Sequence, residues 1–156
     1  MLHWAILGTG FISNTVVDAI TASDGSQVDL IAGRNRSKVA EFQKRHCITR
    51  SSSYENALSD PNIDAVYIGL PNDQHHPFAI AAAQAGKAVL SEKSLTTTMD
   101  DAHSLVQAIR ANGTFFVEGL MYLAHPVHRR FVELLSDGRL GTLRSISARY
   151  GADIAH

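Results

Sequence analysis

The sequence is poor in the features that mark secreted, membrane-bound and nucleic-acid-binding proteins. Its single cysteine, Cys47, cannot form an internal disulfide, so a reducing compartment is expected. The 14 basic and 15 acidic residues give a net charge of −1, which does not indicate the concentrated basic patch of a nucleic-acid-binding protein. No apolar run has transmembrane length, and no basic segment precedes the short apolar run near the amino terminus. These absences predict a cytoplasmic protein without nucleic-acid or membrane partners.

Short apolar runs alternate with helix-periodic segments, and the 156-residue chain is long enough for a domain with a hydrophobic core. The runs are mostly aliphatic and bounded by turn residues, which is typical of strands buried on both faces of a parallel sheet. They cover residues 4–7, 28–32, 65–70, 88–90 and 115–117. This alternation predicts a doubly wound α/β domain with a parallel sheet over residues 1–120.

Turn and capping residues predict several helix boundaries. Pro77 is expected to start the fourth helix and Gly86 to end it in a left-handed conformation. Thr98 and Asp101 resemble a capping box at the start of the fifth helix. The apolar face of the first helix is predicted to consist of Ile12, Val16, Ala19 and Ile20.

The pattern changes after the fifth run. Residues 121–138, with Pro126 near the start and Gly138 after the end, predict a helix, and residues 143–151 alternate like a half-exposed strand. A lone strand presents an unpaired edge, which favours self-association or disorder of the last residues. We therefore expect a chain cut from a longer protein, in which residues 121–156 are a linking helix and the first strand of a truncated second α/β domain.

A glycine-containing turn, GTGFIS, follows the first run. Glycines at a strand-to-helix turn permit a tight bend and a close approach of the backbone to a pyrophosphate, whose charge the helix start favours. Ser13 stands where a third glycine is usual, and a plain glycine-rich turn is the alternative. The position between a strand and an amphipathic helix favours dinucleotide binding. The predicted cofactor-binding residues are Gly8, Thr9, Gly10, Phe11 and Ile12.

The residues after the second run bear on the choice of cofactor. An acidic side chain there would accept a hydrogen bond from the ribose 2′-hydroxyl and favour NAD, but Asp29 lies too early in the run. Arg34, with Arg36 or Ser37 as further candidates, would instead bind a 2′-phosphate through charge-assisted hydrogen bonds. The alternative is that the arginines are solvated loop residues. The sequence favours NADP over NAD.

Polar residues also follow the third run, and in such sheets ligands bind at the carboxyl ends of the strands. Leu70 and Pro71 would shape this loop, and Asn72 would contact the ribose or the nicotinamide. His75 is predicted to bind the cofactor or to transfer a proton, with decoration of a helix start as the alternative. His76 is assigned to decoration.

Lys93 follows the fourth run, beside the site that the first and third runs imply. A lysine near a nicotinamide can donate a hydrogen bond to a substrate hydroxyl and help to move its proton while hydride leaves the carbon. We expect Lys93 to be partly buried there and to be the catalytic residue, with Glu92 beside it contacting the cofactor. The alternative is an ordinary surface lysine.

Metal binding is a weaker possibility among the eight histidines. His125 and His128 stand three residues apart on the predicted last helix, but no third ligand accompanies them at suitable spacing. No metal site is therefore predicted.

Together these motifs resemble the Gfo/Idh/MocA family, named for glucose-fructose oxidoreductase and inositol dehydrogenase. The most specific stretch, residues 54–95, contains DPNIDAVYIGLPNDQHH and then GKAVLSEK. Further matches are ILGTGFIS, AGRNRSKVAEFQKRH and MYLAHPVHRRFVELLSDGRLGTLRSI, so the resemblance covers essentially the whole chain. The arginine-bearing end of the second strand and the EGLMY stretch are similar to the dihydrodiol and xylose dehydrogenase branch.

The resemblance implies a two-domain enzyme with an NAD(P)-binding Rossmann domain followed by a substrate domain that often makes a dimer. It implies an NAD(P)-dependent dehydrogenase or reductase acting on sugars, polyols or related hydroxy and carbonyl compounds. The family's E-K-P motif maps onto Glu92, Lys93 and Ser94, with serine in place of proline. Since most of the second domain has no counterpart here, we expect this cofactor-binding half to be nearly inactive alone.

The sequence leaves other interpretations open. Glu118 and Tyr122 follow the last run and would either border the nicotinamide or, as we prefer for Tyr122, pack between domains. The main rival function is a non-catalytic domain that senses a dinucleotide, in which Lys93 is structural. A third is a partner-binding domain that has lost the nucleotide.

Overall fold

The computed structural model describes residues 1–149 and 151, and its elements alternate between strand and helix. The strands are β1 (Leu2–Leu7), β2 (Ser26–Ala32), β3 (Arg50–Ser52), β4 (Ala65–Ile68), β5 (Ala88–Ser91) and β6 (Phe116–Glu118). The helices are α1 (Phe11–Thr21), α2 (Arg36–His46), α3 (Tyr54–Ser59), α4 (Asn72–Gln84), α5 (Met99–Asn112) and α6 (Pro126–Ser136). A 3₁₀ turn at Met121–Ala124 precedes α6.

The strands form one six-stranded sheet in the order β3-β2-β1-β4-β5-β6, and every pair is parallel. The chain winds outward from β1 in one direction to β3, then returns past β1 and winds in the other direction to β6. The predicted doubly wound α/β fold is confirmed. The point where the winding reverses lies between β1 and β4, and ligands bind in the crevice there in folds of this kind.

Alternate residues of the central strands face two separate core layers. Ala5 and Leu7 of β1 pack in a cluster with residues of α3, α4 and α5, among them Leu105. Ile6, between them, packs in a second cluster with residues of α1 and α2, among them Phe42. Both faces of the sheet are therefore covered, which explains why the strands are apolar runs without alternation.

The strand β3 has no counterpart among the predicted runs. Its three residues are polar, and it forms because Arg50, Ser51 and Ser52 pair with Leu30, Ile31 and Ala32 of β2. A short edge strand of this kind depends on its neighbour rather than on its own apolar residues, so the hydrophobic pattern gives no signal for it.

The predicted start of the fourth helix is wrong. The helix α4 begins at Asn72 with Pro71 as its N-cap, so Pro77 lies inside it and leaves the Asp73 carbonyl without its helical N–H partner. Burial of His75 and Ala79 on either side of Pro77 stabilises the continued helix. The signals at Thr98 and Gly86 are confirmed: the Thr98 side chain accepts from the Asp101 N–H at 3.1 Å, and Gly86 has a φ of 71°.

The apolar face predicted for α1 needs correction as well. Its buried residues are Ser13, Val17 and Ile20, whereas Ile12 and Ala19 are exposed. The helix is rotated relative to the prediction because Ser13, a small polar residue, faces the sheet in place of a larger apolar one. This rotation matters for the site described below.

Residues 120–156 form a second compact unit, separate from the first unit of Met1–Gly119. In this second unit, Pro126 occupies the start of α6 and the His125 side chain accepts from the Val127 N–H at 3.2 Å. The strand predicted for 143–151 is not formed over residues 143–149, since those backbone groups have no neighbouring strand to pair with; Tyr150 lies outside the described residues. No helix in the described part of the chain is long and apolar enough to cross a bilayer.

Candidate functional site

Two neighbouring cavities lie at the carboxyl ends of the central strands of the first unit. One, of about 220 Å³, is lined by Gly10, Phe11, Ile12, Ser13, Tyr67, Gly69, Leu70, Glu92 and Lys93. The other, of about 240 Å³, is lined by Gly8, Thr9, Gly10, Gly33, Arg34, Asn35, Lys38, Tyr54, Gly69, Leu70 and Pro71. They share Gly10, Gly69 and Leu70, so the fold brings most of the predicted site residues together around one cleft.

The glycine turn requires glycine at its first position. Gly8 has a φ of 106°, and a Cβ built on it would lie 2.4 Å from the carbonyl oxygen of Gly69. Gly10 is the N-cap of α1 and contributes no side-chain cap, so the first N–H groups of this helix stay available. The arrangement suits an anionic group such as a diphosphate.

Ser13 and Gly69 together explain the missing third glycine. Ser13 faces the sheet, and a Cβ built on Gly69 would lie 2.6 Å from Ser13 Oγ. The close approach of helix and strand that a glycine at position 13 usually allows is provided here from the strand side, by Gly69. Ser13 Oγ is buried and has no hydrogen-bond partner among the described residues.

Tyr67 and Glu92 form a polar pair in the wall of the first cavity. The Tyr67 hydroxyl donates to Glu92 Oε1 at 3.3 Å, and the tyrosine side chain is otherwise buried. Burial raises the pKa of Tyr67, and the adjacent carboxylate of Glu92 raises it further. Tyr67 therefore acts as a hydrogen-bond donor and not as a proton-transfer group. Sequence reasoning missed it, because a tyrosine inside an apolar run indicates only a core strand.

Lys93 lies at the rim of this cavity, with Glu92 beside it. Its backbone N–H donates to Glu92 Oε2 at 3.2 Å, and the Lys93–Ser94 peptide bond is cis. The Lys93 side chain is exposed, so the partial burial expected of it is not found. Lys93 nevertheless lines the first cavity together with residues at the start of α1, as the sequence predicts.

Arg34 lines the second cavity together with Lys38, a cation that sequence reasoning missed. Arg34 also lines a larger depression of about 480 Å³, which contains Arg36 and the three serines after α2. Ser37 is engaged elsewhere, since its hydroxyl donates to Asn35 Oδ1 at 2.7 Å in the N-cap of α2. Lys38 lies four residues after Arg34 in the first turn of α2, and this spacing at a helix start is a signal that could have identified it.

Asp29 lies in the middle of β2, away from the strand's carboxyl end. Its side chain interacts with His3 Nδ1 at 2.7 Å and accepts from Gln27 Nε2 at 2.7 Å. The acidic residue that would bind a ribose 2′-hydroxyl at the end of β2 is therefore not supplied by Asp29.

Only some of the residues predicted after β4 line the cleft. Leu70 and Pro71 line the cleft, but Asn72 and His75 do not line either cavity. Asn72 is the exposed first residue of α4. His75 is completely buried, and both of its ring nitrogens lie against backbone carbonyl oxygens. The structure thus places His75 behind the cleft rather than in it.

His125 and His128, the described histidines of the second unit, are not part of a ligand cluster among the described residues. His128 packs its ring edge-on against Tyr122, with 5.3 Å between the ring centroids. Within residues 1–149 and 151, no group of three or more His, Cys, Asp or Glu side chains is placed to hold a metal ion.

The chain matches one protein family over most of its length. This is Gfo/Idh/MocA, an oxidoreductase family with an NAD-binding Rossmann fold, which matches residues 2–120. Among individual proteins, trans-1,2-dihydrobenzene-1,2-diol dehydrogenase of Bos taurus is 33% identical over 159 residues, covering 99% of this chain and 47% of that protein. The chain therefore spans about half the length of the curated relatives that it matches.

Solved structures of other oxidoreductases are similar to this chain. KijD10, a 3-ketoreductase from Actinomadura kijaniata in complex with NADP and TDP-benzene, has a TM-score of 0.81 and 31% identity, over 88% of this chain and 42% of that chain. The scyllo-inositol dehydrogenase from Lactobacillus casei with bound NAD(H) and scyllo-inositol has a TM-score of 0.85 and 21% identity, over 90% of this chain and 42% of that chain. The second likeness concerns the fold alone.

Proposed function

Because this chain belongs to the Gfo/Idh/MocA oxidoreductase family, we propose that it is the cofactor-binding part of an NAD(P)-dependent dehydrogenase or reductase. The enzyme would transfer hydride between a nicotinamide and a CH–OH or carbonyl carbon of a sugar, polyol or related compound. One observation carries the proposal. The uncapped start of α1, which suits a diphosphate, and Lys93, which suits a substrate oxygen, line the same cavity.

The residues of the cleft fit such a cofactor. Gly8 and Gly69 approach so closely that no side chain fits at position 8, so the backbone of the turn can come close to a bound ligand. The N–H groups at the start of α1 would hold the diphosphate, and Leu70 and Pro71 would border the nucleotide on the opposite side. When bound, the cofactor would accept or supply the hydride.

Lys93 would act on the substrate oxygen. Its ammonium group donates hydrogen bonds, so it would orient a hydroxyl or carbonyl oxygen and stabilise negative charge that develops there. Glu92 lies beside it, held by Tyr67, and would accept a hydrogen bond from a second hydroxyl of the substrate. Two adjacent polar groups of opposite charge suit compounds with more than one oxygen, such as polyols.

The arrangement around Arg34 favours NADP over NAD. Arg34 and Lys38 place two positive charges in the cavity beside the glycine turn, and Asp29 is too far back on β2 to hold a 2′-hydroxyl. A guanidinium group matches the geometry of a phosphate, whereas it offers no acceptor to a ribose hydroxyl.

The substrate domain would lie outside the part described here. Relatives about twice as long as this chain are named as a dihydrodiol dehydrogenase and a 3-ketoreductase, which suggests oxidation or reduction at an oxygenated ring carbon. Residues 121–156 would begin that domain, which would complete the site and make a homo-oligomer. The chain alone would have little activity, since substrate positioning contributes much of the rate.

The exposure of Lys93 supports one alternative, a domain that binds the dinucleotide without catalysis. Replacing Lys93 by alanine in a protein that includes the downstream domain separates the two functions. We expect turnover with NADPH and a polyol or keto-sugar panel to fall by at least about 100-fold, while the dissociation constant of NADPH changes little. Arg110→Ala, at the far end of α5, is the matched control. Unchanged turnover in Lys93→Ala would favour the non-catalytic function.

A further inference from the structure

The buried histidine behind the cleft joins two segments of the site. His75 Nε2 lies 2.7 Å from the carbonyl oxygen of Leu70, and His75 Nδ1 lies 2.8 Å from the carbonyl oxygen of Ser94. Leu70 lines both cavities, and Ser94 directly follows Lys93. The imidazole ring is fully buried, so water does not substitute for either contact.

Both partners of His75 are acceptors. A neutral imidazole has one N–H donor and one bare nitrogen, so it satisfies only one of two carbonyl oxygens. The other nitrogen would then oppose a carbonyl oxygen at hydrogen-bond distance, lone pair against lone pair. Two good hydrogen bonds at 2.7 and 2.8 Å require a proton on each ring nitrogen.

The same peptide unit is held from its other side. The N–H of Leu95 donates to Glu118 Oε1 at 2.7 Å, so the Ser94–Leu95 peptide has His75 on its carbonyl and Glu118 on its N–H. Glu118 ends β6, and its side chain is partly buried. The residue after Lys93 is therefore fixed by side chains from two different elements, α4 and β6.

Charged groups lie on both sides of this peptide. The start of α4 carries the positive end of the helix dipole, which disfavours a cation there, and Asp73 in the first turn offsets it in part. Glu118 lies one peptide unit away on the opposite side, and Lys93 and Glu92 are the charged residues of the segment itself. A cation on the carbonyl and an anion on the N–H polarise one peptide in the same sense, so the two hydrogen bonds strengthen each other.

We propose that His75 and Glu118 are positioning residues that fix the Lys93–Leu95 segment, with His75 donating from both ring nitrogens to Leu70 and Ser94. The chain of hydrogen bonds connects the end of β4, α4, the segment after β5 and the end of β6. Its consequence for catalysis rests on the proposed role of Lys93. Without these hydrogen bonds, neither side chain holds the Ser94–Leu95 peptide that follows Lys93. The lysine then loses its fixed position relative to the cleft.

Nitrogen NMR of the histidine ring tests the donor count directly. The full chain, labelled with ¹⁵N, is measured at pH 7 in long-range ¹H–¹⁵N spectra that distinguish protonated from bare ring nitrogens. We expect both nitrogens of His75 to carry a proton. One bare nitrogen would overturn the proposal, because one of the two carbonyl contacts would then not be a hydrogen bond.

Amide exchange tests the positioning. His75→Phe keeps a ring but removes both donors, and Glu118→Gln keeps an acceptor but removes the charge. We expect exchange of the Leu95 amide to rise about 10- to 100-fold in each, since a hydrogen bond involving a charged group is lost or weakened. His76→Phe is the control, because the neighbouring His76 contacts Ser104 of α5 and not the segment. If His75→Phe does not fold, His75→Gln keeps one donor and should give a smaller rise.

Exchange at Leu95 that is equal in His76→Phe and in the His75 variants, after correction for global stability, would overturn the proposal. The result is separable from the proposed function, because Leu95 exchange does not depend on any ligand. Faster exchange together with no NADPH binding by the wild-type chain would leave the positioning role intact and contradict the proposed function.

Discussion

Tyr67 shows how a single side chain serves both the core and the site. Its ring packs in the core layer with α1 and α2, while its hydroxyl reaches Glu92 in the wall of the cleft. The raised pKa of Tyr67 makes it a fixed donor at any working pH, so it orients the Glu92 carboxylate rather than exchanging protons with it. An aliphatic residue at this position would fill the core but leave Glu92 unheld.

Stability at high pH should depend on Tyr67. Its pKa is raised in the folded state, so unfolded chains lose this proton first, above about pH 10. The free energy of unfolding should therefore fall as pH rises past that point, by up to about 1.4 kcal/mol per pH unit. Tyr67→Phe removes this contribution, and Tyr122→Phe is the control. Denaturant unfolding between pH 8 and about 11 measures the slope; equal slopes in wild type and Tyr67→Phe would contradict the assignment.

Arg34 should decide the cofactor preference. We expect the wild-type chain to bind NADPH more tightly than NADH, and Arg34→Ala to reduce that ratio by about 10- to 100-fold, the effect of one hydrogen bond between charged groups. Binding is followed by the fluorescence of the reduced nicotinamide, with Arg110→Ala as the control. Tighter binding of NADH by the wild type would show that the positive charges at Arg34 and Lys38 serve another purpose.

At the scale of elements, the sequence predicts the strands and helix ends that depend on local chemistry. It misses those that depend on pairing or burial against residues distant in the sequence. The apolar runs, the Thr98 cap and the left-handed Gly86 follow from local chemistry, and all are found. The strand β3 and the start of α4 depend on pairing with β2 and on burial around Pro77, which no local pattern records. The strand expected at residues 143–151 is not formed over residues 143–149 for the same reason, since its pattern is present but no described strand pairs with it.

The helix α5 offers a test of the capping argument. Thr98 Oγ1 accepts from the Asp101 N–H and donates to Asp101 Oδ2 at 2.7 Å, which fixes the segment leading from Lys93 into the helix. Thr98→Ala should lower the free energy of unfolding by about 1 kcal/mol. The neighbouring Thr97→Ala is the control, and urea denaturation measures both. A Thr98→Ala variant as stable as Thr97→Ala would show that the Thr98 cap does not stabilise the protein.

At the scale of the whole molecule, the sequence predicts which residues lie near the site but not how deeply each side chain is buried. Parallel strands end at one edge of the sheet, so the residues after the first four runs are expected to meet, and most of them do. Burial is not readable from such a pattern. His75 was expected in the cleft and lies behind it, while Lys93 was expected to be partly buried and is exposed.

The division of the chain belongs to the same scale. The unit of Met1–Gly119 contains the sheet, both core layers and the cleft, and the family match covers nearly the same residues. The proposed cofactor binding would therefore depend on this unit, whereas the substrate contacts that turn binding into turnover are proposed for the domain that would follow.

The proposed function requires that the cleft between β1 and β4 binds a nicotinamide dinucleotide. Titration of the chain with NADPH, comparing wild type, Gly8→Ala and Gly25→Ala, tests it most directly. Both glycines have positive φ, but a Cβ at Gly8 meets the Gly69 carbonyl at 2.4 Å whereas one at Gly25 meets nothing within 4 Å. The account predicts saturable NADPH binding that Gly25→Ala retains and Gly8→Ala weakens by at least about tenfold. No binding by the wild type, or equal binding by all three proteins, would contradict it.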